Sequence, residues 1–239
     1  MKIEEFINSL KELNISYTDE MLNKLEEYYH FLIEYNSHTN LTAITSLEQI
    51  YLKHFYDSLT IVKAIDLNDI KTVLDIGTGA GFPGVVLKIF FPHIEITLLD
   101  SNHKKTKFLE LLVNKLELNK VNIICNRSEN YIKNNRESFD LVVSRAVADL
   151  TVLTELSLPF VKVGGLFISY KGDNKEEINS SLFAVKELGG KLIDVINLTL
   201  PNENSKRSLV VVEKINRTSS LYPRTYDKIL KKPLKIKEK

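Results

Sequence analysis

Apolar residues recur at helical spacing near the start of the chain. One series spans residues 6–13 and a second spans residues 22–33, and this spacing predicts two amphipathic helices. Thr18 and Asp19 are suitable caps for the second helix. The polar run of residues 36–40 interrupts the pattern, so the second helix is expected to end there.

A third helix is predicted from residue 46 to about residue 65. Ser46 and Gln49 occupy the two ends of a capping box, in which each side chain accepts a bond from a free backbone N–H of the first turn. The first 65 residues are therefore expected to be largely helical.

From Lys71 onward, short runs of β-branched residues alternate with helical segments. This alternation predicts βαβ units and a parallel sheet that is covered on both faces. The predicted strands are residues 72–76, 94–99, 121–125, 141–144 and 166–170.

The last two predicted strands, residues 191–200 and 208–215, are separated by a polar loop that is too short for a helix. Their pairing is therefore predicted to be antiparallel. A mostly parallel α/β sheet that ends in an antiparallel hairpin resembles class I S-adenosylmethionine methyltransferases, whereas the dinucleotide-binding fold continues with parallel strands. We predict a helical extension over residues 1–65, a Rossmann-like core over residues 66–215 and a tail over residues 216–239.

Composition limits the class of protein. Hydrophobic residues make up 44% of the chain and charged residues 26%, as in an average globular enzyme. No apolar run approaches the ~20 residues of a membrane span, and the N-terminus lacks the features of a signal peptide. The single cysteine, Cys125, lies in an apolar run, which predicts a buried and inert thiol in a reducing compartment. We expect a cytoplasmic protein that does not bind membranes.

The net charge of +1 conceals opposite charges at the two ends. Residues 1–45 hold eight acids and three lysines, a net charge of −5, and residues 216–239 hold eight Lys and Arg against two acids, a net charge of +6. A basic tail suits a phosphate backbone, because neutralised phosphates release their counterions. A solvated terminus that keeps the protein soluble is the alternative.

Residues 73–84 form the pattern of a strand, a glycine turn and the start of a helix. Gly77, Gly79 and Gly81 permit positive φ angles and a close approach of the backbone to a ligand, and the helix N-terminus favours an anionic group. Residues 79–84 also match G-x-G-x-x-G, so a nicotinamide or flavin cofactor is an alternative to S-adenosylmethionine.

Two carboxylates help to distinguish these cofactors. Asp75 ends the first strand, where a class I methyltransferase has an acid for the methionine end of its cofactor. Asp100 ends the next strand, where a carboxylate accepts both ribose hydroxyls of either cofactor. Asp75 and the terminal hairpin therefore favour S-adenosylmethionine. The structural alternatives are a cap for Asp75 and an Asx turn for Asp100; Ser128, where the adenine would lie, is either a cofactor contact or a helix cap.

The end of the fourth strand, Ser144-Arg145, bears on which atom is methylated. It lacks the Asn/Asp-Pro-Pro-aromatic motif of enzymes that methylate exocyclic amines, and Cys125 lies in another strand, which disfavours a thiol nucleophile. A ring nitrogen with a free lone pair, such as guanine N7, needs neither, because positioning can supply most of the catalysis. We therefore expect neither a general base nor a metal site.

Five side chains are candidates for RNA contacts near the carboxyl edge of the sheet: Lys53, His54, Arg145, Lys171 and Arg207. Arg and Lys suit phosphates and guanine edges. For Lys53 and Arg207 a solvated surface charge is the alternative, and for His54 a hydrogen-bonded core or cap residue. Arg145 directly follows an apolar strand, which solvation explains poorly, so a functional role is favoured.

Several motifs occur together and in order, and in this combination the chain resembles the bacterial ribosomal RNA small subunit methyltransferase G family, also called glucose-inhibited division protein B, over residues 36–234. The motifs are Asn40-Leu41-Thr42-Ala43-Ile44, residues 53–59, residues 75–84, Leu98-Leu99-Asp100-Ser101, Ser144-Arg145-Ala146, Lys171-Gly172, residues 207–211 and Tyr222-Pro223-Arg224.

The resemblance implies N7 methylation of a guanosine in the 530 loop of 16S ribosomal RNA, with S-adenosylmethionine as the donor. We expect a monomer that acts on the 30S subunit or its precursor, with Arg145 and Lys171 as positioning residues and Arg224 as a further RNA contact. The implied cofactor contacts are Gly77, Phe82, Asp100, Ser101, Ser128, Glu129 and Arg145.

Two positions depart from the family pattern. The family usually has Arg where Lys53 stands, and residues 225–229 replace a Gly-x-Pro turn. Two other functions remain as alternatives: an RNA-binding assembly factor without turnover, and a nicotinamide-dependent oxidoreductase. The intact Asp75, Gly77, Asp100 and Arg145 disfavour the first alternative, and the terminal hairpin disfavours the second.

Overall fold

A seven-stranded sheet lies at the centre of the protein. The computed structural model describes residues 1–145, 148–172 and 175–235; Ala146, part of one quoted motif, lies outside them. The strand order is β3-β2-β1-β4-β5-β7-β6, in which β7 is antiparallel to both of its neighbours and the other pairs are parallel. The predicted sheet and its terminal hairpin are confirmed. The strands are β1 (Thr72–Ile76), β2 (Glu95–Asp100), β3 (Val121–Cys125), β4 (Phe139–Arg145), β5 (Val161–Lys171), β6 (Gly190–Thr199) and β7 (Lys206–Lys214).

Helices cover both faces of this sheet and include a π-helical segment, Tyr51–Tyr56, and three 3-10 turns, Thr60–Lys63, Ile132–Asn134 and Leu158–Phe160. None of the helices in the described residues is long and apolar enough to cross a membrane. The α-helices are α1 (Ile3–Glu12), α2 (Asp19–Thr39), α3 (Leu47–Ile50), α4 (Asp57–Leu59), α5 (Gly84–Phe90), α6 (His103–Lys115), α7 (Ser128–Tyr131), α8 (Leu150–Ser157), α9 (Lys175–Glu187) and α10 (Tyr226–Lys231).

Helix α2 begins and ends where the sequence predicts. The hydroxyl of Thr18 accepts a bond from the backbone N–H of Met21, as an N-cap does. It ends within the polar run of residues 36–40, as expected, with Thr39 as its last residue and Asn40, whose φ is +52°, as its C-cap. The side chain of Asn36 bonds both backbone groups of Thr42, so it secures the chain that follows the helix.

The predicted third helix is present, but it is irregular. Helix α3, the π-helical segment, α4 and a 3-10 turn follow one another without interruption from Leu47 to Lys63. The capping box at its start is wrong, since the Ser46 side chain makes no cap hydrogen bond. A π-helical segment inside a longer helix is uncommon and is frequently found at functional sites.

The sheet separates two apolar clusters. In β4, Leu141 and Val143 point to one face and Val142 to the other, because successive residues of a strand alternate in direction. Buried side chains of α1 and α2 join Leu141 and Val143 in one cluster. Residues 1–65 thus share a core with the sheet, and the division at residue 65 stays a prediction.

The expectation of a buried thiol is wrong, because Cys125 is exposed. It ends β3, and β3 lies at the edge of the sheet. An edge strand has a neighbouring strand on one side only, and every residue of β3 is half-buried or exposed. An apolar run therefore does not guarantee burial at this position.

One contact joins the helical extension to the glycine turn. Tyr28 of α2 is completely buried, and its hydroxyl donates a hydrogen bond to the backbone carbonyl of Ala80. Its ring stacks on that of Phe82 at a centroid distance of 5.2 Å. Helix α2 therefore contacts the glycine turn through both the polar and the apolar part of one side chain.

We predict that Tyr28→Phe lowers the free energy of unfolding by about 1–2 kcal/mol, because the buried carbonyl of Ala80 loses its donor. Urea denaturation measures the change. Tyr29→Phe, at the half-buried neighbouring position of α2, is the matched control and should change stability by much less. Equal effects of the two substitutions would contradict a specific role of the Tyr28 hydroxyl.

Candidate active site

The glycine turn between β1 and α5 requires small residues for steric reasons. Gly81 has a φ of +101°, and a Cβ atom there would lie 2.7 Å from both the Tyr28 hydroxyl and the Val85 side chain. Only glycine meets both requirements without strain. The turn therefore lies closely packed against α2 on one side, and its conformation is fixed by its surroundings.

Asp75 lies beneath this turn and is completely buried. Its Oδ2 accepts bonds from the Thr78 hydroxyl at 2.7 Å and from the Gly84 backbone N–H at 2.9 Å, while Oδ1 has no hydrogen-bond partner. Burial raises the pKa of Asp75 to about 6, against the opposing effect of these two bonds. Oδ2 therefore caps the start of α5, which is the structural alternative considered for this residue.

A cavity of about 410 Å³ lies beside the turn, at the carboxyl ends of β1, β2 and β3. We call it the glycine-loop cavity. Its wall includes five residues that the sequence predicts as cofactor contacts: Gly77, Asp100, Ser101, Ser128 and Glu129. It also includes Asn126 and Arg127, from the segment where the adenine is expected, and Lys105, Leu156 and Tyr226, none of which was a predicted cofactor contact.

The carboxylate of Asp100 is held in place by backbone groups. Oδ2 accepts a bond from the Gly79 N–H at 3.0 Å, and Oδ1 accepts one from the Asn102 N–H at 2.9 Å. The ammonium group of Lys105 lies 3.6 Å from Oδ2. Because each carboxylate oxygen can accept two hydrogen bonds, both oxygens retain capacity for a pair of hydroxyl donors.

Ser128 lines the glycine-loop cavity and is not a helix cap. It is the first residue of α7, Arg127 holds the cap position, and the Ser128 hydroxyl donates to the carbonyl of Leu156 at 2.7 Å. This bond joins α7 to α8 at the wall of the cavity. The cap alternative for Ser128 is therefore wrong.

A second cavity, of about 310 Å³, lies at the carboxyl ends of β4 and β5. We call it the basic cavity, because it brings together four cations and a histidine that the sequence predicts as RNA contacts. These residues are Lys53, His54, Arg145, Lys171 and Arg207. Since β1 and β4 are neighbouring strands, the two cavities lie next to each other at one edge of the sheet.

Arg145 is bonded to the π-helical segment and the residue after it. Its Nη1 donates to the Lys53 carbonyl at 2.8 Å and to Asp57 Oδ2 at 3.0 Å, and its Nη2 lies 3.0 Å from Nδ1 of His54. The guanidinium is also 5.2 Å from the centre of the Phe82 ring. Arg145 is therefore not a solvated surface residue. Its bonds hold the end of β4 against the N-terminal helices.

His54 is a neutral imidazole in this environment. Nδ1 of His54 lies near both the Arg145 guanidinium and the Lys53 carbonyl, 3.1 Å away. Because an arginine can only donate, and its Nη1 already bonds the Lys53 carbonyl, we assign Nδ1 as the acceptor and place the ring proton on Nε2, 3.1 Å from the Thr42 hydroxyl. Burial, together with the charge of Arg145, lowers the pKa of His54 to about 3. His54 is therefore a hydrogen-bonded residue and cannot cycle a proton near neutral pH.

The remaining cations of the basic cavity are paired with acids. Lys53 lies 3.2 Å from Glu203, Arg207 lies 3.5 Å from Oδ1 of Asp57, and Lys171 lies 2.6 Å from Glu177. The side chains of Lys53 and Arg207 keep 29% and 24% of their surface exposed, against 12% for Arg145. Lys53 and Arg207 are therefore the cations that an incoming anion reaches most easily.

Five residues predicted for the cofactor do not line the glycine-loop cavity: Asp75, Gly79, Gly81, Phe82 and Arg145, the last of which lines the basic cavity. Phe82 is buried between Tyr28 and His54, with its ring stacked on the imidazole at 4.4 Å. Arg224 bonds both carboxylate oxygens of Glu155 and is not part of the basic cavity. The roles of Phe82 in cofactor binding and of Arg224 in RNA binding stay predictions.

Two of the residues that sequence reasoning missed, Asp57 and Tyr226, differ in the signal that could have found them. Asp57 is buried beneath Arg145 and Arg207; an acid among the apolar neighbours of a predicted helix is the signal that could have found it. Tyr226 lines the glycine-loop cavity from the tail. Its sequence context contains no such signal, because its position depends on how the tail folds back.

Comparison with known proteins identifies the family. Residues 21–209 match the family described as rRNA small subunit methyltransferase G, GidB. The chain belongs to this family. It is 45% identical to the Ribosomal RNA small subunit methyltransferase G of Bacillus velezensis over 227 residues, which cover 94% of this chain and 95% of that relative. The family resemblance drawn from the sequence motifs is thus confirmed.

Solved structures share the fold of this methyltransferase G family member. A SAM dependent methyltransferase from Aquifex aeolicus matches 73% of this chain and 97% of its own, with a TM-score of 0.54 and 19% identity. M. jannaschii TYW2 in complex with AdoMet matches 61% of this chain and 68% of its own, with a TM-score of 0.50 and 18% identity. At these identities the likeness concerns the fold alone.

The raised pKa of Asp75 predicts a pH dependence of stability. The pKa of about 6 in the folded state exceeds the ordinary value of 3.8, so the folded state binds the proton more tightly. The stabilisation from this proton is fully present below about pH 4 and is lost as the pH rises through 6. The full loss amounts to about 3 kcal/mol.

We therefore expect Asp75→Asn to remove this loss. Between pH 4 and pH 7.5, the free energy of unfolding of the variant should rise relative to that of the native protein. Urea denaturation of the ligand-free protein at several pH values measures the difference. Asp69→Asn, at an exposed position, is the control and should leave the pH profile unchanged. Parallel profiles for Asp75→Asn and the native protein would show that Asp75 does not titrate in this range.

Proposed function

We propose that this protein transfers a methyl group from S-adenosylmethionine to N7 of a guanosine in the 530 loop of 16S ribosomal RNA. As a member of the methyltransferase G family, it is an S-adenosylmethionine-dependent ribosomal RNA methyltransferase. One observation carries the proposal. The glycine-loop cavity and the basic cavity lie at the ends of neighbouring strands, so a donor in the first would be next to an acceptor in the second.

The glycine-loop cavity fits the donor by its shape and its polar groups. Asp100 accepts the two ribose hydroxyls with the lone pairs that its backbone bonds leave free, and Ser101 lies beside it. Ser128 and Glu129 lie toward the adenine, at the end of β3. The bound donor supplies a methyl group on a positively charged sulfur.

The glycine turn holds the methionine end of the donor. Gly77 lines the cavity, and Gly79 and Gly81 give the turn its conformation. Asp75 acts through this turn, because its carboxylate bonds Thr78 and Gly84 from below. It is therefore a positioning residue, which holds the turn that contacts the cofactor and does not itself contact the cofactor.

The basic cavity receives the acceptor nucleotide. Lys53 and Arg207 bind phosphates of the RNA, because they are the more exposed of its cations and their acidic partners can be replaced by phosphate oxygens. Arg145 and Lys171 lie deeper and position the base. The combined positive charge draws RNA toward the cavity.

The chemistry of guanine N7 suits the side chains of the basic cavity. N7 has a lone pair and no proton, so transfer requires only that this lone pair be in line with the sulfur–methyl bond. The side-chain acceptors among its described residues are the neutral His54, the ion-paired Asp57 and the Tyr170 hydroxyl. His54 and Asp57 are already bonded to Arg145, and Tyr170 donates to the Ser58 carbonyl. This arrangement supports positioning without a general base.

The proposal extends to the setting in which the protein acts. The substrate is ribosomal RNA, in keeping with the family. We infer that the RNA is presented within the 30S subunit or its precursor, and that the protein works as a monomer in the cytoplasm. The net charge of +6 over residues 216–239 supports binding to the phosphate-rich surface of such a particle.

We predict that Asp100→Ala weakens binding of S-adenosylhomocysteine by about 1–3 kcal/mol, because one or two hydrogen bonds to the ribose are lost. Isothermal titration calorimetry measures the affinity. Asp69→Ala removes an exposed aspartate far from the cavity and should leave the affinity unchanged. If Asp100→Ala binds as tightly as the native protein, Asp100 does not contact the cofactor.

The function itself is tested on ribosomal particles. We expect that 30S subunits from a strain that lacks the gene gain one 7-methylguanosine, in the 530 loop, after incubation with the protein and S-adenosylmethionine. Mass spectrometry of the nucleosides and of the RNA fragments locates the methyl group. Absence of methylation on both mature and partly assembled particles, while the cofactor still binds, would favour an assembly factor without turnover.

The same assay tests the basic cavity. Arg207→Gln should reduce methylation at limiting RNA concentration while S-adenosylhomocysteine binds as before, because Arg207 lines the basic cavity and does not line the glycine-loop cavity. Lys191→Gln removes an exposed charge from β6 and serves as the control. A fall in cofactor affinity for Arg207→Gln would mean that the two cavities are not separate sites.

A further inference from the structure

The basic tail contributes a side chain to the wall of the glycine-loop cavity. Tyr226, the first residue of α10, lines this cavity together with Arg127 and Leu156. The charge pattern of the tail suits RNA binding or solvation, and the glycine motif beside the cavity belongs to the predicted core. The folded chain joins the two, because α10 returns to the carboxyl edge of the sheet.

Two contacts fix the tail on either side of Tyr226. Before it, Arg224 bonds the fully buried Glu155 of α8 through Nε at 2.8 Å and Nη2 at 2.6 Å, and its backbone N–H bonds the same carboxylate at 2.9 Å. After it, Ile229 is completely buried against Val152 and Leu156 of α8. The Tyr226 ring therefore has a defined place at the cavity wall.

The ring of Tyr226 and the guanidinium of Arg127 lie next to each other in this wall. The Cζ atom of Arg127 lies 5.3 Å from the ring centre. Both groups are flat and carry π electrons, and nucleic acid bases stack on aromatic rings and on arginine planes. The pair offers a stacking surface for a heteroaromatic ring.

The position of this pair corresponds to the adenine end of the cavity. Asp100 ends β2 and is the site of the ribose in the proposed function. Arg127 follows β3, the next strand outward, by two residues. A nucleoside whose ribose bonds Asp100 therefore extends its base toward Arg127 and Tyr226.

We propose that Tyr226 and Arg127 bind the adenine ring of S-adenosylmethionine, so that the C-terminal helix is part of the cofactor site. The inference rests on the proposed function, since it takes S-adenosylmethionine as the donor. It also gives a role to residues 225–229, where this chain departs from the Gly-x-Pro turn of its family. The tail then binds the donor as well as the RNA.

Calorimetric titration of the ligand-free protein with S-adenosylhomocysteine tests the proposal. Tyr226→Ala should weaken binding about 5- to 30-fold, the range expected when a base loses one aromatic partner. Tyr226→Phe retains the ring and should bind within about twofold of the native protein. Leu230→Ala, at an exposed position of the same helix, is the matched control and should bind like the native protein.

A second variant makes the test independent of the folding of the tail. Arg127 is exposed and belongs to a different element, so Arg127→Ala should weaken binding without lowering the melting temperature. Binding of S-adenosylhomocysteine should also slow amide hydrogen exchange over residues 226–231, because the ligand covers this wall.

The outcomes separate the inference from the proposed function. If the native protein binds S-adenosylhomocysteine and both Tyr226→Ala and Arg127→Ala bind it equally well, the adenine lies elsewhere and the inference is overturned, while the function stands. If the native protein does not bind S-adenosylhomocysteine, the proposed function itself fails. Weakening by Leu230→Ala as strong as by Tyr226→Ala would also overturn the inference, because the effect would then reflect the helix and not the ring.

Discussion

The ring of Phe82 stacks between the rings of Tyr28 and His54, with the guanidinium of Arg145 5.2 Å from the same ring. These four side chains come from the glycine turn, α2, the π-helical segment and β4. Because Tyr28 and Phe82 are buried and Phe82 stacks on His54, a shift of the glycine turn would displace the imidazole that accepts from Arg145. The geometry of the glycine-loop cavity and that of the basic cavity therefore depend on one packed cluster.

The charges in the two cavities are arranged differently. The glycine-loop cavity is lined by two acids and two cations, whereas the basic cavity presents four cations over one buried acid, Asp57. A buried ion pair gains little net stability, because desolvation offsets the attraction of its charges. The contacts of Asp57 with Arg145 and Arg207 matter more for position, since they hold two guanidinium groups toward one space. This arrangement suits a positively charged donor beside a polyanionic acceptor.

The tail combines buried and solvated charges. Arg224 is bonded to a fully buried glutamate and fixes the path of the chain, whereas Lys228 is exposed on the helix that follows. A net charge alone does not distinguish these two roles, because both residues add one positive charge. The buried acid opposite Arg224 makes the difference, and it belongs to α8, 69 residues away along the chain.

The sequence by itself determined the strands, the antiparallel hairpin, the glycine turn and Asp100 at the end of β2, because these features follow from backbone preferences and side-chain alternation over a few residues. The family motifs also brought Lys53, Arg145 and Arg207 together as candidates. Only the tertiary structure decided their partners: Arg145 meets Asp57 across 88 residues of chain, and Tyr226 reaches the cavity only because the tail folds back. The role of a charged or aromatic side chain depends on the residues that contact it, and segments distant in sequence supply these residues.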